Sequence, residues 1–242
     1  IMSDASKVFA ALMKFGGFPE PFLKQSEKDW RRWHSNRLER LIKEDIRDLE
    51  NIRDLSAMQI LVDILPSKVG SLLSLNSLRE DISVAHKTIA NWMDILERFY
   101  YHFRIYPYDH KKIKSLKKEP KLYLWDWSEI NDNDGARLEN IVASHLLKLC
   151  HYLHDVDGYK TDLHFLRDID GREVDFLVTS DGKPWFAVEV KSSAKDISKT
   201  LNYFGAKLDI PFLYQVVDER DIDVRQDNVR ILSAEKFLQS LI

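Results

Sequence analysis

The chain has 242 residues, 44% hydrophobic and 31% charged, the composition of a globular protein with apolar material for one or two packed cores. That excludes a disordered chain, a collagen-like repeat and a membrane-spanning protein, since no apolar run approaches the roughly 18–20 residues that cross a bilayer. The single cysteine, Cys150, allows no intrachain disulfide, and Asp4 and Lys7 interrupt any apolar leader, so a cytoplasmic protein is expected.

The net charge of −3 is unevenly placed: residues 1–130 hold 22 Lys and Arg against 19 Asp and Glu, and residues 131–242 hold 14 against 20. In chain order, Gly16-Gly17-Phe18-Pro19-Glu20-Pro21 should break one helix and precede another. From Glu27 to Asn51 the positions Trp30, Trp33, Leu38, Leu41, Ile42, Ile46 and Leu49 recur at the spacing of a long amphipathic helix. Another helix is expected over Ser56–Leu65, stopped by Pro66. A short helix over Ser74–Ile82 follows, then Ser83 as an N-cap and a helix from Val84 to about Phe99.

In that last helix Ile89, Trp92, Met93 and Leu96 form the buried stripe, leaving His86, Lys87, Thr88 and Asn91 outward. Two short helices and a tight turn, the second opening on polar and basic side chains, resemble a helix-turn-helix. Strand-like runs over Tyr101–Tyr108 and Lys121–Trp127 follow, and between them lie Lys111, Lys112, Lys114, Lys117 and Lys118. A hairpin there is what a winged helix has as its wing, and the lysines suit a polyanion such as DNA or make an ordinary solvated loop. His86 and His102 near the helix-turn-helix could contact phosphate, although an ordinary surface or wing position is the better expectation, and Trp125 and Trp127 are expected to pack rather than to stack on bases.

After the polar stretch Asn131–Gly135 the pattern changes. A helix is expected over Ala136–Leu153. Strands follow over Leu163–Arg167 and Glu173–Val178, turned by Asp170-Gly171, and a third over Trp185–Lys191. A helix over Ser198–Leu208, a strand over Phe212–Val217 and a last strand or helix near Val229–Leu241 complete an α/β layer. The expected divisions are a helical lead-in (1–55), a winged helix-turn-helix (56–130) and an α/β domain with a mixed sheet (131–242).

Period-two alternation puts Glu173, Asp175 and Leu177 on one strand face, and Trp185, Ala187, Glu189 and Lys191 on one face of the next. Charges at the ends of otherwise apolar strands are costly unless paired or metal-bound, which marks them for function. The order of Glu139 on a helix, Asp175 after a hairpin and Glu189-Val190-Lys191 on the next strand resembles the PD-(D/E)XK nuclease core. The resemblance implies Asp175 and Glu189 as ligands of Mg²⁺ or Mn²⁺, Lys191 as the water-positioning cation and Glu139 as an auxiliary acid. Val174 stands where the motif has proline.

A wider resemblance rests on Gly16–Glu20, Glu44–Leu49, Ser83 with Thr88-Ile89 through Trp92, Pro120–Tyr123 and Gly171–Phe176. These segments look like the C-terminal half of bacterial and archaeal AAA-type ATPases, in which a P-loop motor precedes a winged helix and a nuclease-like domain. No G-x-x-x-x-G-K-[ST] occurs in the chain, so no ATP site is expected within it. The resemblance implies double-stranded DNA and the ATPase module of a longer parent chain as partners. The open alternative is a non-catalytic DNA- or protein-binding module with a relic nuclease fold. Cys150, His151 and His154 lie close enough in sequence to suggest zinc, but no fourth ligand is evident.

Overall fold

Helix caps and proline positions set the first half of the chain. In the computed structural model, which describes residues 4–46, 54–109 and 119–241, two compact units are present, a chiefly helical one from 7–104 and 121–134 and a second centred on 135–242. α1 (Asp4–Phe15) ends at Gly16, whose φ of 80° lies in the left-handed region that favours glycine. Pro19, expected to break structure, instead starts α2 (Pro19–Lys24), because its fixed φ suits a first helical turn whose N–H has no helical partner.

α3 (Glu27–Arg40) is capped by Ser26, whose hydroxyl accepts from the Asp29 amide at 3.3 Å. The unbroken helix expected to Asn51 passes into a π-helical turn at Leu41–Ile46, and residues 47–53 lie outside the described residues. α4 (Leu55–Ile64), capped by Asp54, runs into a 3₁₀ turn at Leu65–Lys68 that takes in Pro66. α5 (Leu75–Ile82) and α6 (His86–Arg98) follow. The role expected of Ser83 is corrected. It adopts φ 61° and closes the C-terminus of α5, while Ala85 begins α6 without a side-chain cap. Ile89, Trp92, Met93 and Leu96 are buried as the periodicity predicts.

Beyond α6 the chain forms β1 (His102–Pro107) and β2 (Lys121–Leu124), which is next to β1 in strand order. The helical unit is tied together by a buried polar group on the 126–129 turn. The Tyr101 hydroxyl donates to Glu129 Oε2 at 2.7 Å and Arg37 Nη1 donates to Glu129 Oε1 at 2.9 Å, with His34 Nε2 at 3.4 Å from the same oxygen. Ser128 donates through its amide and its hydroxyl to Asp126 Oδ1, and Trp30 Nε1 donates to the Ser128 hydroxyl at 2.8 Å. Burial and the neighbouring Glu129 push Asp126 up to about 6. A Cβ on Gly16 would lie 2.6 Å from Asp126 Oδ1, and one on Gly17 2.5 Å from the Trp127 ring. The two glycines are therefore a close-approach site for this turn.

The second unit opens with α7 (Asp134–Asp155). β3 (Thr161–Arg167), β4 (Glu173–Ser180) and β5 (Lys183–Lys191) form an antiparallel meander. α8 (Lys199–Leu208) crosses to β6 (Phe212–Val217), parallel to β5, and β7 (Asp223–Gln226), β8 (Val229–Ser233) and α9 (Ala234–Gln239) finish the chain. The strand order is β1-β3-β4-β5-β6-β8-β7, with the end of β1 parallel to β3. The last segment, expected as strand or helix, is both, and β7 is an exposed edge strand that no apolar alternation announced.

The 168–172 turn joins β3 to β4: Asp168 Oδ1 accepts from the Asp170 and Arg172 amides at 3.0 Å, and Gly171 takes φ 80°. One core gathers Leu177, Ala187, Leu213 and Val217 with Leu201, Phe204 and Leu208 of α8. Gly205 lets α8 approach β6, since a Cβ there would meet Leu213 at 2.6 Å.

Replacing Arg37 with Met should cost about 3–5 kcal/mol, because Glu129 and Asp126 would stay buried without their guanidinium; the urea midpoint at unchanged m-value measures it. Gly16→Ala should cost more than Gly171→Ala in the same assay. Both place alanine at a left-handed φ, worth about 1–2 kcal/mol, but open space surrounds Gly171 whereas Asp126 must move at Gly16.

Candidate metal-dependent active site

The antiparallel register pairs Phe176 with Val188 and Leu177 with Ala187. One further step of the same register sets Asp175 opposite Glu189. The strand faces that carry Leu177 and Ala187 into the core therefore present these two carboxylates to each other where the core ends. Asp175 is anchored from the backbone, its Oδ2 accepting from the Val190 amide at 2.9 Å. Lys191 follows at the end of the same face of β5, half-buried.

Glu189 bears the cost of this arrangement. Its Oε2 is buried with no hydrogen-bond partner. Burial first, and then the facing Asp175, push it up to about 8, while Lys191, the Ser198 hydroxyl and the Asp175 backbone pull the other way. A buried carboxylate oxygen left unsatisfied beside a second carboxylate is the electrostatic condition that a hard divalent cation relieves. Asp175 and Glu189 thus fit Mg²⁺ or Mn²⁺ in donor chemistry. Glu139 lies half-buried in the second turn of α7. Among the described residues no group of three or more His, Cys, Asp or Glu gathers as a metal cluster, so Glu139 is not drawn into a three-acid site with the other two.

Three further polar residues tie down the segments next to the pair, and sequence reasoning missed them. β5 and β6 run parallel with Glu189 paired to Gln215, which puts both side chains on one face. Gln215 is fully buried; its Oε1 accepts from the Ser198 amide at 2.9 Å and its Nε2 donates to the Asp196 carbonyl at 3.1 Å. Ser198 caps α8, accepting from the Leu201 amide at 3.2 Å, and Glu219 Oε2 accepts from the Ala194 amide at 3.2 Å. A lone glutamine in the apolar run Phe212-Leu213-Tyr214-Gln215-Val216-Val217 was the available signal.

The nucleic-acid candidates fall into two groups. His86, Lys87 and Asn91 are exposed and Thr88 half-buried on the opening turns of α6. Lys111, Lys112, Lys114, Lys117 and Lys118 lie outside the described residues. His102 is buried, held by the Met93 carbonyl at 2.9 Å and lowered by burial to about 4, so it is a neutral core histidine and no phosphate contact. Trp127 is buried and donates to the Leu12 carbonyl at 2.7 Å, as packing predicts, and Trp125 is half-buried against Phe103 and Tyr100. Cys150 is buried and pushed by burial to about 12, His151 and His154 are exposed, and His154 faces Asp155 at 3.0 Å. A thiol so reluctant to ionise is a poor zinc ligand.

The class defined so far is a mixed α+β protein with a helical N-terminal region and a mixed sheet in its C-terminal part. Residues 6–131 match the family model described as Domain of unknown function (DUF8612), and the chain belongs to that family. Residues 134–237 match a second model, Domain of unknown function (DUF4143). The chain is similar to an uncharacterized protein of Methanocaldococcus jannaschii, 30% identical over 180 residues, which is 68% of this chain and 36% of that protein. It thus spans about a third of the curated relative it matches. No solved structure matches, and no helix among the described residues is long and apolar enough to cross a membrane.

The raised Glu189 has a signed consequence for stability. Because folding lifts it from an ordinary value near 4.5 to about 8, the folded chain holds that proton more tightly than the unfolded chain. Stability from this group is complete below about pH 4.5 and declines as pH climbs towards 8. In EDTA, Glu189→Gln should therefore match the wild type at pH 4.5 and exceed it at pH 8 by on the order of 1 kcal/mol or more. Thermal midpoints across that range check both the sign and the convergence.

Proposed function

We propose that this chain is a DNA-associated module of an AAA-type ATPase that carries a Mg²⁺-dependent phosphodiester-cleaving site built from Asp175, Glu189 and Lys191. The observation that carries the reading is the Asp175–Glu189 pair, opposed across β4 and β5, with a buried Glu189 oxygen lacking a partner and Lys191 two residues on. Its support is the chain order of the site. Glu139 lies on the helix before the sheet, Asp175 follows a hairpin and Glu189-x-Lys191 lies on the next strand, the order that the resemblance to PD-(D/E)XK nucleases implies. The match of residues 134–237 to DUF4143 accords with the resemblance to the C-terminal half of AAA-type ATPases.

In this reading Asp175 and Glu189 would hold a divalent ion, which when bound would supply Lewis-acid polarisation of the phosphodiester and activation of a water. The chain's own contribution is positional. Asp175, fixed by the Val190 amide, and Glu189, held on a buried strand, present oxygens that need no reorganisation before binding. The Lys191 ammonium at the rim orients the attacking water and faces the charge that grows on the phosphate. The resemblance implies Glu139 as an auxiliary acid, outside the pair itself. In the helical unit, α4, α5 and α6 followed by β1 and β2 make the winged helix of the proposal, and His86, Lys87, Thr88 and Asn91 on α6 meet DNA phosphates and base edges. The lysines from Lys111 to Lys118 add the polyanion contacts of its wing.

A second reading, a DNA- or protein-binding module with a relic site, is favoured by one observation: no cluster of three metal-holding side chains forms among the described residues. Calorimetric titration with Mg²⁺ and Mn²⁺ separates the two. The nuclease reading expects binding that Glu189→Ala abolishes, and metal-dependent cutting of duplex DNA that Lys191→Ala lowers about 100-fold or more. The relic reading expects no binding at millimolar metal, and DNA affinity that falls steeply with salt and depends on Lys87 and the 111–118 lysines.

A further inference from the structure

We propose that Gln215 is a positioning residue for the Asp175–Glu189 site: paired with Glu189 in register, it fixes from inside the sheet the 196–198 segment that follows Glu189-Val190-Lys191. The inference rests on the reading of that site as a metal centre and extends it to a residue no motif names.

Three observations converge. The first is register. Glu189 and Gln215 are partners across parallel strands, so their side chains leave the same face of the sheet side by side. The second is the use of the amide. Gln215 is fully buried, yet both ends of its side chain are spent on one stretch of loop, accepting from the Ser198 amide at 2.9 Å and donating to the Asp196 carbonyl at 3.1 Å. A fully buried amide is tolerated only when paired, and this one is paired to the turn that follows Glu189-Val190-Lys191. The third is what that turn carries. Ser198 is 2% exposed, caps α8 through the Leu201 amide and lies 2.8 Å from the Thr200 hydroxyl. Glu219 pins the same loop at Ala194, and the Asp218 amide donates to the Lys191 carbonyl at 3.3 Å.

An apolar residue in place of Gln215 could fill the same volume and extend the core formed by Leu213 and Val217. What it could not do is hold residues 196–198 by two bonds of fixed direction. A loop held in that way keeps Ser198 and Lys191 in register with the two carboxylates, and a metal pair or a positioned water tolerates little drift in its supporting groups.

The experiment is Mn²⁺ titration by calorimetry of the whole chain as wild type, Gln215→Leu, Ser198→Ala and Ser198→Thr, with amide hydrogen exchange at Ser198 and each variant's thermal midpoint measured alongside. The expected result is Mn²⁺ affinity lowered about tenfold or more in Gln215→Leu and in Ser198→Ala, the range found when groups supporting a metal ligand are removed. Ser198→Thr, which keeps the hydroxyl and can still cap α8, should restore it, and the Ser198 amide should lose protection only in Gln215→Leu. Should Gln215→Leu fail to fold, the Ser198 pair carries the test, since a role confined to capping α8 would shift the midpoint and leave Mn²⁺ affinity alone. Wild-type affinity in folded Gln215→Leu, or in Ser198→Ala, overturns the positioning role and leaves the two-acid site standing. A wild type that binds no Mn²⁺ overturns the site and this inference together.

Discussion

The register between β4 and β5 is the constraint on which the candidate chemistry depends. Side chains alternate along a strand, so a slip of one residue would turn Asp175 and Glu189 to opposite faces and carry Leu177 and Ala187 out of the core with them. The same apolar contacts that hold the sheet to α8 therefore set the two carboxylates against each other. Neither could be moved without losing the core beneath it. This is how a site that is unfavourable by itself is maintained: the penalty of one crowded carboxylate is carried by a packed layer of Leu, Val and Phe.

The helical unit solves a related problem differently. Glu129 and Asp126 are both buried, but each is served by neighbours, Arg37, Tyr101 and His34 for the one and Ser128 for the other. The network spans from α3 to the 126–129 turn, and the Gly16-Gly17 pair lets the start of the chain pack against it. Charge here is compensated within the protein, which is what a structural network requires. Asp126 Oδ2 and Glu189 Oε2 are both buried without a hydrogen-bond partner, but an Arg37 guanidinium nitrogen lies 4.0 Å from the first, whereas the second faces another carboxylate, Asp175.

The acidic and basic residues of the candidate site were legible in the sequence. Asp175, Glu189 and Lys191 stood out because acidic and basic residues at the ends of apolar strands have few reasons to be there. The supporting residues were not legible, for an identifiable cause. Gln215 bonds across a parallel pairing to a loop 17 residues earlier in the chain, and Ser198 reads in sequence only as the start of a helix. His102 shows the converse. Its place near the helix-turn-helix suggested a surface or wing position, with phosphate contact as the alternative, whereas the strand buries it under α6 and leaves it neutral.

Local patterning by itself determined the helices of the first half, the β3–β4 hairpin at Asp170-Gly171, the α8 crossover and the apolar stripes of α6, because periodicity, caps and turn residues act over a few positions. It did not separate a proline that starts a helix from one that ends it, nor Ser83 closing α5 from Ser83 opening α6, since those depend on the conformation that neighbouring elements impose. The facing of Asp175 and Glu189, the paired amide of Gln215 and the shared burial of Glu129 with Arg37 were decided only in three dimensions. Each is a contact between residues distant in the chain, and its energy comes from removing both groups from water together.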